Sequence, residues 1–203
     1  MTIRRHLLVV GVLSLVMLMS SVSLLFAQLR QSSPYPEAAP ESLPVLSRVT
    51  DFELTAATGQ PFHSEQMAGK VWVVDFIFTS CAGICPVMTL AMADLHRSFD
   101  GEDHVEFVSI SVDPETDTPE VLSSYGERYG ADPERWHFLT GAIEDIHALS
   151  VQTFKVGAVD EPINHSSRFI LVDGSGSIRG YYVGTDSEDV ARLAGGITEL
   201  LAE

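Results

Sequence analysis

The chain has 203 residues, 45% of them hydrophobic, with 28 acidic against 12 basic residues and a formal net charge of −16. That length accommodates one core plus a leader, and the acidity excludes nucleic acid as a partner, because a phosphate backbone is held by displacing its counterions with Lys and Arg. All 28 acidic residues fall after position 30, where nine basic ones remain, giving that part a formal −19. No contiguous acidic run marks a docking patch, so the charge reads first as a solubility feature.

Residues 7–29 hold no charge and are dominated by Leu, Val and Met. As a helix at ~1.5 Å per residue they span about the 30 Å hydrocarbon layer. Arg4 and Arg5 precede the run and only Arg30 directly follows, which places the N-terminus in the cytoplasm and the rest outside. A cleaved signal peptide ending at Ala27 is the rival reading; the length of the apolar run favours a retained membrane anchor over residues 1–30. Either way the domain is exported to the extracytoplasmic, periplasmic side. Residues 31–47, with Pro34, Pro36, Pro40 and Pro44, form an extended Pro-rich linker, and 48–203 form one folded domain.

Within that domain a short strand is expected over 51–55 and a turn at Gly59-Gln60-Pro61. The run VWVVDFIF at 71–78 is β-branched and aromatic throughout, as in a strand buried on both faces. A second strand over 105–112 and, between them, a helix over 86–99 imply a parallel crossover. Thr118 as N-cap and Pro119 at the first helical position open a helix to 129. A strand at 136–139, a helix over 143–154, a hairpin of 168–172 with 177–183, and an amphipathic helix over 188–201 complete the order. This is an α/β domain with a central mixed β-sheet flanked by helices, in the succession of the thioredoxin-like fold. Gly174, Gly176 and Gly180 lie in the hairpin, so no dinucleotide fingerprint is present.

The two cysteines sit together as Cys81-Ala-Gly-Ile-Cys85-Pro86, directly after the central strand. Pro86 suits the first helical position, which puts Cys85 at the N-cap and both sulfurs at a helix N-terminus, where amides and dipole favour thiolate. Three readings follow: a structural disulfide, a redox-active dithiol, or part of a metal site. So short a loop gives a disulfide little unfolded-state entropy to remove, which weakens the first. His165 bears on the other two, because it precedes the hairpin strand that lies beside the cysteine loop in a thioredoxin-like fold, where thioredoxins carry a cis-proline. Two thiolates and one imidazole suit copper, as Cu(I) or with a further ligand Cu(II). A structural zinc site needs a fourth protein ligand that the sequence does not offer. Met88 and Met92 are read as core, as are Trp72 and Trp136; His63, His96, His104, His137 and His147 are read as surface. Asp113-Pro114 is read as a turn leaving its strand.

The blocks Asp75-Phe-Ile-Phe-Thr-Ser-Cys81-Ala-Gly-Ile-Cys85-Pro86, Ser109-Ile-Ser-Val-Asp113-Pro114 with Asp117-Thr118-Pro119, and His165 before Phe169-Ile-Leu-Val-Asp173 together resemble the Sco/SenC family. The resemblance covers the whole exported domain and implies a thioredoxin-like fold, with copper ligands at Cys81, Cys85 and His165. The role it implies is delivery of copper to the binuclear copper site of cytochrome c oxidase, or reduction of that site's thiols. The chain departs from the familiar family form at Ala82 and Gly83, where Pro and Asp stand, and a missing acid changes the field at the thiolates. A copper-binding metallochaperone, which is a transfer protein and not a turnover enzyme, is thus expected. The same residues serve the alternative, an extracytoplasmic thiol-disulfide oxidoreductase using the Cys81/Cys85 pair. A peroxiredoxin-like peroxidase fits less well, since no arginine neighbours the thiols in sequence.

Overall fold

The computed structural model describes residues 42–157 and 166–203. The expected membrane anchor, the linker up to 41 and His165 lie outside the described residues. Among the described residues no helix is long and apolar enough to cross a membrane. In chain order the elements are β1 (Ser47–Arg48), β2 (Glu53–Ala56), β3 (Pro61–His63), a 3-10 turn (Ser64–Met67), β4 (Val71–Ile77), α1 (Ile84–Ser98), β5 (Val105–Ser111) and α2 (Pro119–Tyr129). They continue with β6 (Trp136–Thr140), α3 (Ile143–Ala148) running into a π turn (Leu149–Thr153), β7 (Arg168–Val172), β8 (Ser177–Val183) and α4 (Ser187–Leu201).

The strands form one sheet in the order β1-β8-β7-β4-β5-β6-β2-β3. Strands β4, β5 and β6 run parallel, with Ile77 opposite Ser111 and Ile110 opposite Leu139, and the remaining pairs are antiparallel. All seven residues of β4 and of β5 are buried, because each strand is covered on both faces. Alternation splits them between two cores. Val73, Ile77 and Phe107 pack with Met88 and Met92 of α1, Leu122 of α2 and Leu193 and Ile197 of α4; Trp72, Val74, Phe76 and Ile110 pack on the opposite face with Ile146 of α3, Leu149 and Phe154.

Local chemistry fixes the helix ends. The Thr118 hydroxyl accepts from the Val121 amide and Pro119 opens α2, which ends on Gly130 at φ 73°, a left-handed position that glycine adopts at no steric cost. Asp186 caps α4 by accepting from the Glu188 and Asp189 amides. Gly126 lets α2 approach β6, since a Cβ there would meet the Phe138 ring at 2.9 Å.

His96 corrects the surface reading given to the histidines. It is 7% exposed, between the rings of Phe107 and Trp136, because it follows Met88 and Met92 at four-residue steps on the buried stripe of α1. Burial lowers its basicity. His137 is half-buried and lies 2.6 Å from Glu106, which also binds Lys70. The short strands β1 and β3, too brief for a periodic signal, were not foreseen.

At the edge where β4 begins, Arg179 is 6% exposed. Its guanidinium donates to Asp173 at 2.9 Å, to Glu203 at 2.9 and 3.0 Å and to the Leu43 carbonyl at 2.6 and 2.9 Å, while the Leu43 amide donates to Glu199. One side chain thus ties Leu43, near the start of the described chain, to Glu203 just past the last helix and to the hairpin. Replacing Arg179 by Met strands these acceptors, and urea unfolding is expected to show a loss of about 3 kcal/mol, toward the low end of the range for breaking a buried ion pair because Glu203 is half-exposed.

Candidate functional site

Strand β4 delivers the chain at the edge where all three parallel strands end. A turn follows in which the Cys81 amide donates to the Phe78 carbonyl at 3.2 Å, and α1 begins three residues after Cys81. The N-cap is Gly83, with no side-chain cap. Cys85 is therefore the second helical residue and Pro86 the third, a correction to the expectation that Cys85 caps the helix. The reason is that every amide of a first turn lacks an intrahelical partner, so a proline is tolerated anywhere in it.

The two thiols, both free, occupy different environments. Cys81 is half-exposed, with the Gly83 amide donating to its sulfur at 3.4 Å. Burial opposes its ionisation, but hydrogen bonds from the Cys85, Gly83 and Ile84 amides and from the Cys85 thiol outweigh it and hold the Cys81 thiol below its ordinary value. Cys85 points into the core at 1% exposure, so only one sulfur faces the helix N-terminus, against the expectation for both. Burial, with the neighbouring charges of Cys81 and Asp75, pushes its thiol up to about 12. The Cys85 turn is fixed from behind: the Thr89 hydroxyl donates to the Cys85 carbonyl and shares a 2.8 Å hydrogen bond with Tyr125 of α2.

The structure brings Cys81 and Cys85 together, and His165 lies outside the described residues. Among the described residues no group of three or more His, Cys, Asp or Glu forms a metal cluster. Met88 and Met92 are fully buried in the core. Asp113 makes the expected turn, its carbonyl accepting from the Thr116 and Asp117 amides. Arg168 is the exposed first residue of β7.

Two fully buried carboxyl groups were not assigned by sequence reasoning. Asp75 is fully buried in the middle of β4; one oxygen accepts from Ser109 at 2.6 Å and the other has no partner. Burial, only partly offset by the Ser109 hydrogen bond, raises its pKa to about 7. Asp117, also fully buried, accepts from Thr79 and Ser111. An acid inside the otherwise apolar run VWVVDFIF was the available signal that Asp75 needs a hydrogen-bond partner in the core, though not of which one.

Residues 42–202 match the SCO1/SenC family. A SCO1 protein homolog of Bacillus subtilis is 34% identical over 151 residues, covering 71% of this chain and 78% of that one. A Stutzerimonas stutzeri protein named for copper binding is 31% identical over 148 residues, 68% of this chain and 71% of its own. The solved structure of BsSco, described as a member of the Sco family of cytochrome c oxidase assembly proteins with a disulfide switch, superposes with a TM-score of 0.67 at 31% identity, over 79% of this chain and 99% of that one.

The elevated pKa of Asp75 has a thermodynamic consequence. An acid whose pKa is higher folded than unfolded binds more protons in the native state, so stability falls as pH rises from about 4 to about 7. Asp75→Asn removes this dependence. Urea midpoints measured from pH 4 to 8 are expected to show the variant gaining on the parent, by on the order of 4 kcal/mol at the upper end; a pH-independent offset would contradict the assignment. The chain belongs to the SCO1/SenC family.

Proposed function

We propose that this protein is a copper-binding metallochaperone, tethered by its N-terminal apolar segment on the extracytoplasmic side of a membrane, that holds copper through Cys81, Cys85 and His165 and passes it to the copper site of cytochrome c oxidase. The observation that carries the reading is the thiol pair itself. Cys81 is half-exposed and its thiolate is favoured by the first amides of α1, while Cys85 lies against it at the rim of the core. Two sulfurs so placed supply a soft donor set, one member of it half-exposed and so accessible to a partner in ligand exchange. The names borne by the Stutzerimonas stutzeri relative and by BsSco support copper as the cargo and oxidase assembly as the context.

Copper bound to both sulfurs requires them deprotonated. Because Cys85 holds its proton up to about pH 12, metal binding at neutral pH drives that proton out. Titrating the reduced full chain with Cu(I) against a competing chelator at pH 7.5 is expected to give one tight site and release of about one proton or more per copper. Cys81→Ser, Cys85→Ser and His165→Ala each weaken binding by about 10-fold or more. Unchanged affinity in His165→Ala would remove that residue from the site.

The unequal thiols favour one second reading, thiol-disulfide exchange. An exposed sulfur of low pKa suits attack on a partner's disulfide, and a buried neighbour suits resolution of the mixed disulfide. His165→Ala separates the two functions, since the exchange uses only the two cysteines.

A further inference from the structure

The cysteine loop is held at two points. On its far side the amides of α1 hold the Cys81 sulfur. On its near side stands Thr79, two residues before Cys81, and both its backbone and its side chain end on Asp117. The Thr79 amide donates to Asp117 Oδ2 at 3.1 Å and the Thr79 hydroxyl to Oδ1 at 2.5 Å. Oδ2 also accepts from the Ser111 hydroxyl at 2.5 Å, at the last residue of β5. Asp117 itself is fully buried and stands next to Thr118, the N-cap of α2, its amide bound to the Asp113 carbonyl at 2.8 Å. One carboxylate therefore joins the end of β4, the end of β5 and the start of α2.

Cys85 is fixed independently by the core and by the bond of its carbonyl to Thr89. The distance and direction between the two sulfurs consequently depend on where Cys81 is held; the Cys81 amide donates to the nearby Phe78 carbonyl, and the Thr79–Asp117 bonds tie the 79–83 segment to a distant element. Ser80, Ala82 and Gly83 are exposed and contribute no packing. Three donors on a carboxylate that is itself fully buried make a rigid anchor, because hydrogen bonds to a carboxylate are stronger than neutral ones and together they fix it from two elements.

We propose that Asp117 is a positioning residue for the thiol pair: by gripping Thr79 it sets the approach of Cys81 to Cys85, and so the effective concentration of one sulfur at the other. The proposal rests on the reading of Cys81 and Cys85 as the working pair, whether for metal or for exchange, but its test needs no copper. A neutral amide is a weaker anchor. Asn at 117 keeps the shape but removes the charge and turns one acceptor into a donor, so the Thr79 hydroxyl has to reverse its bond and the remaining bonds lose their charge assistance.

The test is the equilibrium of the full chain, in detergent, with mixtures of oxidised and reduced dithiothreitol. The Cys81–Cys85 disulfide forms as the cyclic reagent disulfide is reduced to its dithiol, two thiol protons and two electrons passing from protein to reagent. The disulfide fraction is read by alkylation and mass. Asp117→Asn and Thr79→Val are each expected to lower the equilibrium constant about tenfold or more, since small displacements of paired groups cost large factors in effective molarity; tenfold corresponds to about 30 mV for this two-electron couple. Thr79→Ser, which keeps the hydroxyl, stays near the parent value. Arg179→Met, which weakens the fold at the opposite edge of the sheet, leaves the constant unchanged and controls for stability. Should Asp117→Asn not fold, Thr79→Val decides alone. Asp117→Asn and Thr79→Val with parental constants and lowered urea midpoints would overturn the proposal, reducing Asp117 to a structural residue. A parent chain that forms no such disulfide would instead overturn the pair reading, and this inference with it.

Discussion

A helix that starts in a loop exposes amides with no partner inside the helix, and in this protein the amides at the start of α1 are turned on the sulfur of Cys81. That interaction settles the character of the site. Among the described residues it favours ionisation of one cysteine through amides and not through a basic side chain, in a chain whose charge is strongly negative, and it does so at the exposed edge where three parallel strands end. Cys85, only four residues on, already belongs to the helix and to the core, so the same short segment yields one accessible thiol whose ionisation is favoured and one shielded thiol whose ionisation is opposed. Lacking a side-chain cap, α1 depends on that sulfur as much as the sulfur depends on α1.

The rest of the domain keeps this edge in place. Strands β4 and β5, buried on both faces, make the loop's base rigid, and the hydroxyl chain from Cys85 through Thr89 to Tyr125 locks α1 against α2. Arg179 closes the opposite edge, where Leu43 joins the domain. Leu43 and the thiols thus lie at opposite edges of the sheet.

Much of this was legible in the residues, and where it was not there are physical reasons. The central strand was visible as an unbroken β-branched and aromatic run, and α2 was announced by Thr118-Pro119, because both signals are local. The mixed sheet and its thioredoxin-like order followed from the crossovers and the hairpin at Asp173. The cap of α1 was misplaced because Pro86 fits several first-turn positions equally well, and the inward turn of Cys85 followed from that shift. His96 has the residue type of a surface position but keeps step with Met88 and Met92, and helical phase overrides residue type there. The roles of Asp75 and Asp117 depend on Ser109, Thr79 and Ser111, partners up to 38 residues away, and long-range pairing of that kind has no local signature.

The reading of the site as a copper carrier brings these parts together: an accessible soft donor, a second sulfur whose proton the metal must displace, and a histidine contributed from beyond β6. X-ray absorption at the copper edge on the copper-loaded full chain tests that reading most directly. The account predicts a first shell of two sulfur scatterers and one imidazole nitrogen, with the nitrogen lost in His165→Ala. A shell made only of nitrogen and oxygen, or one that keeps its imidazole in that variant, would contradict it.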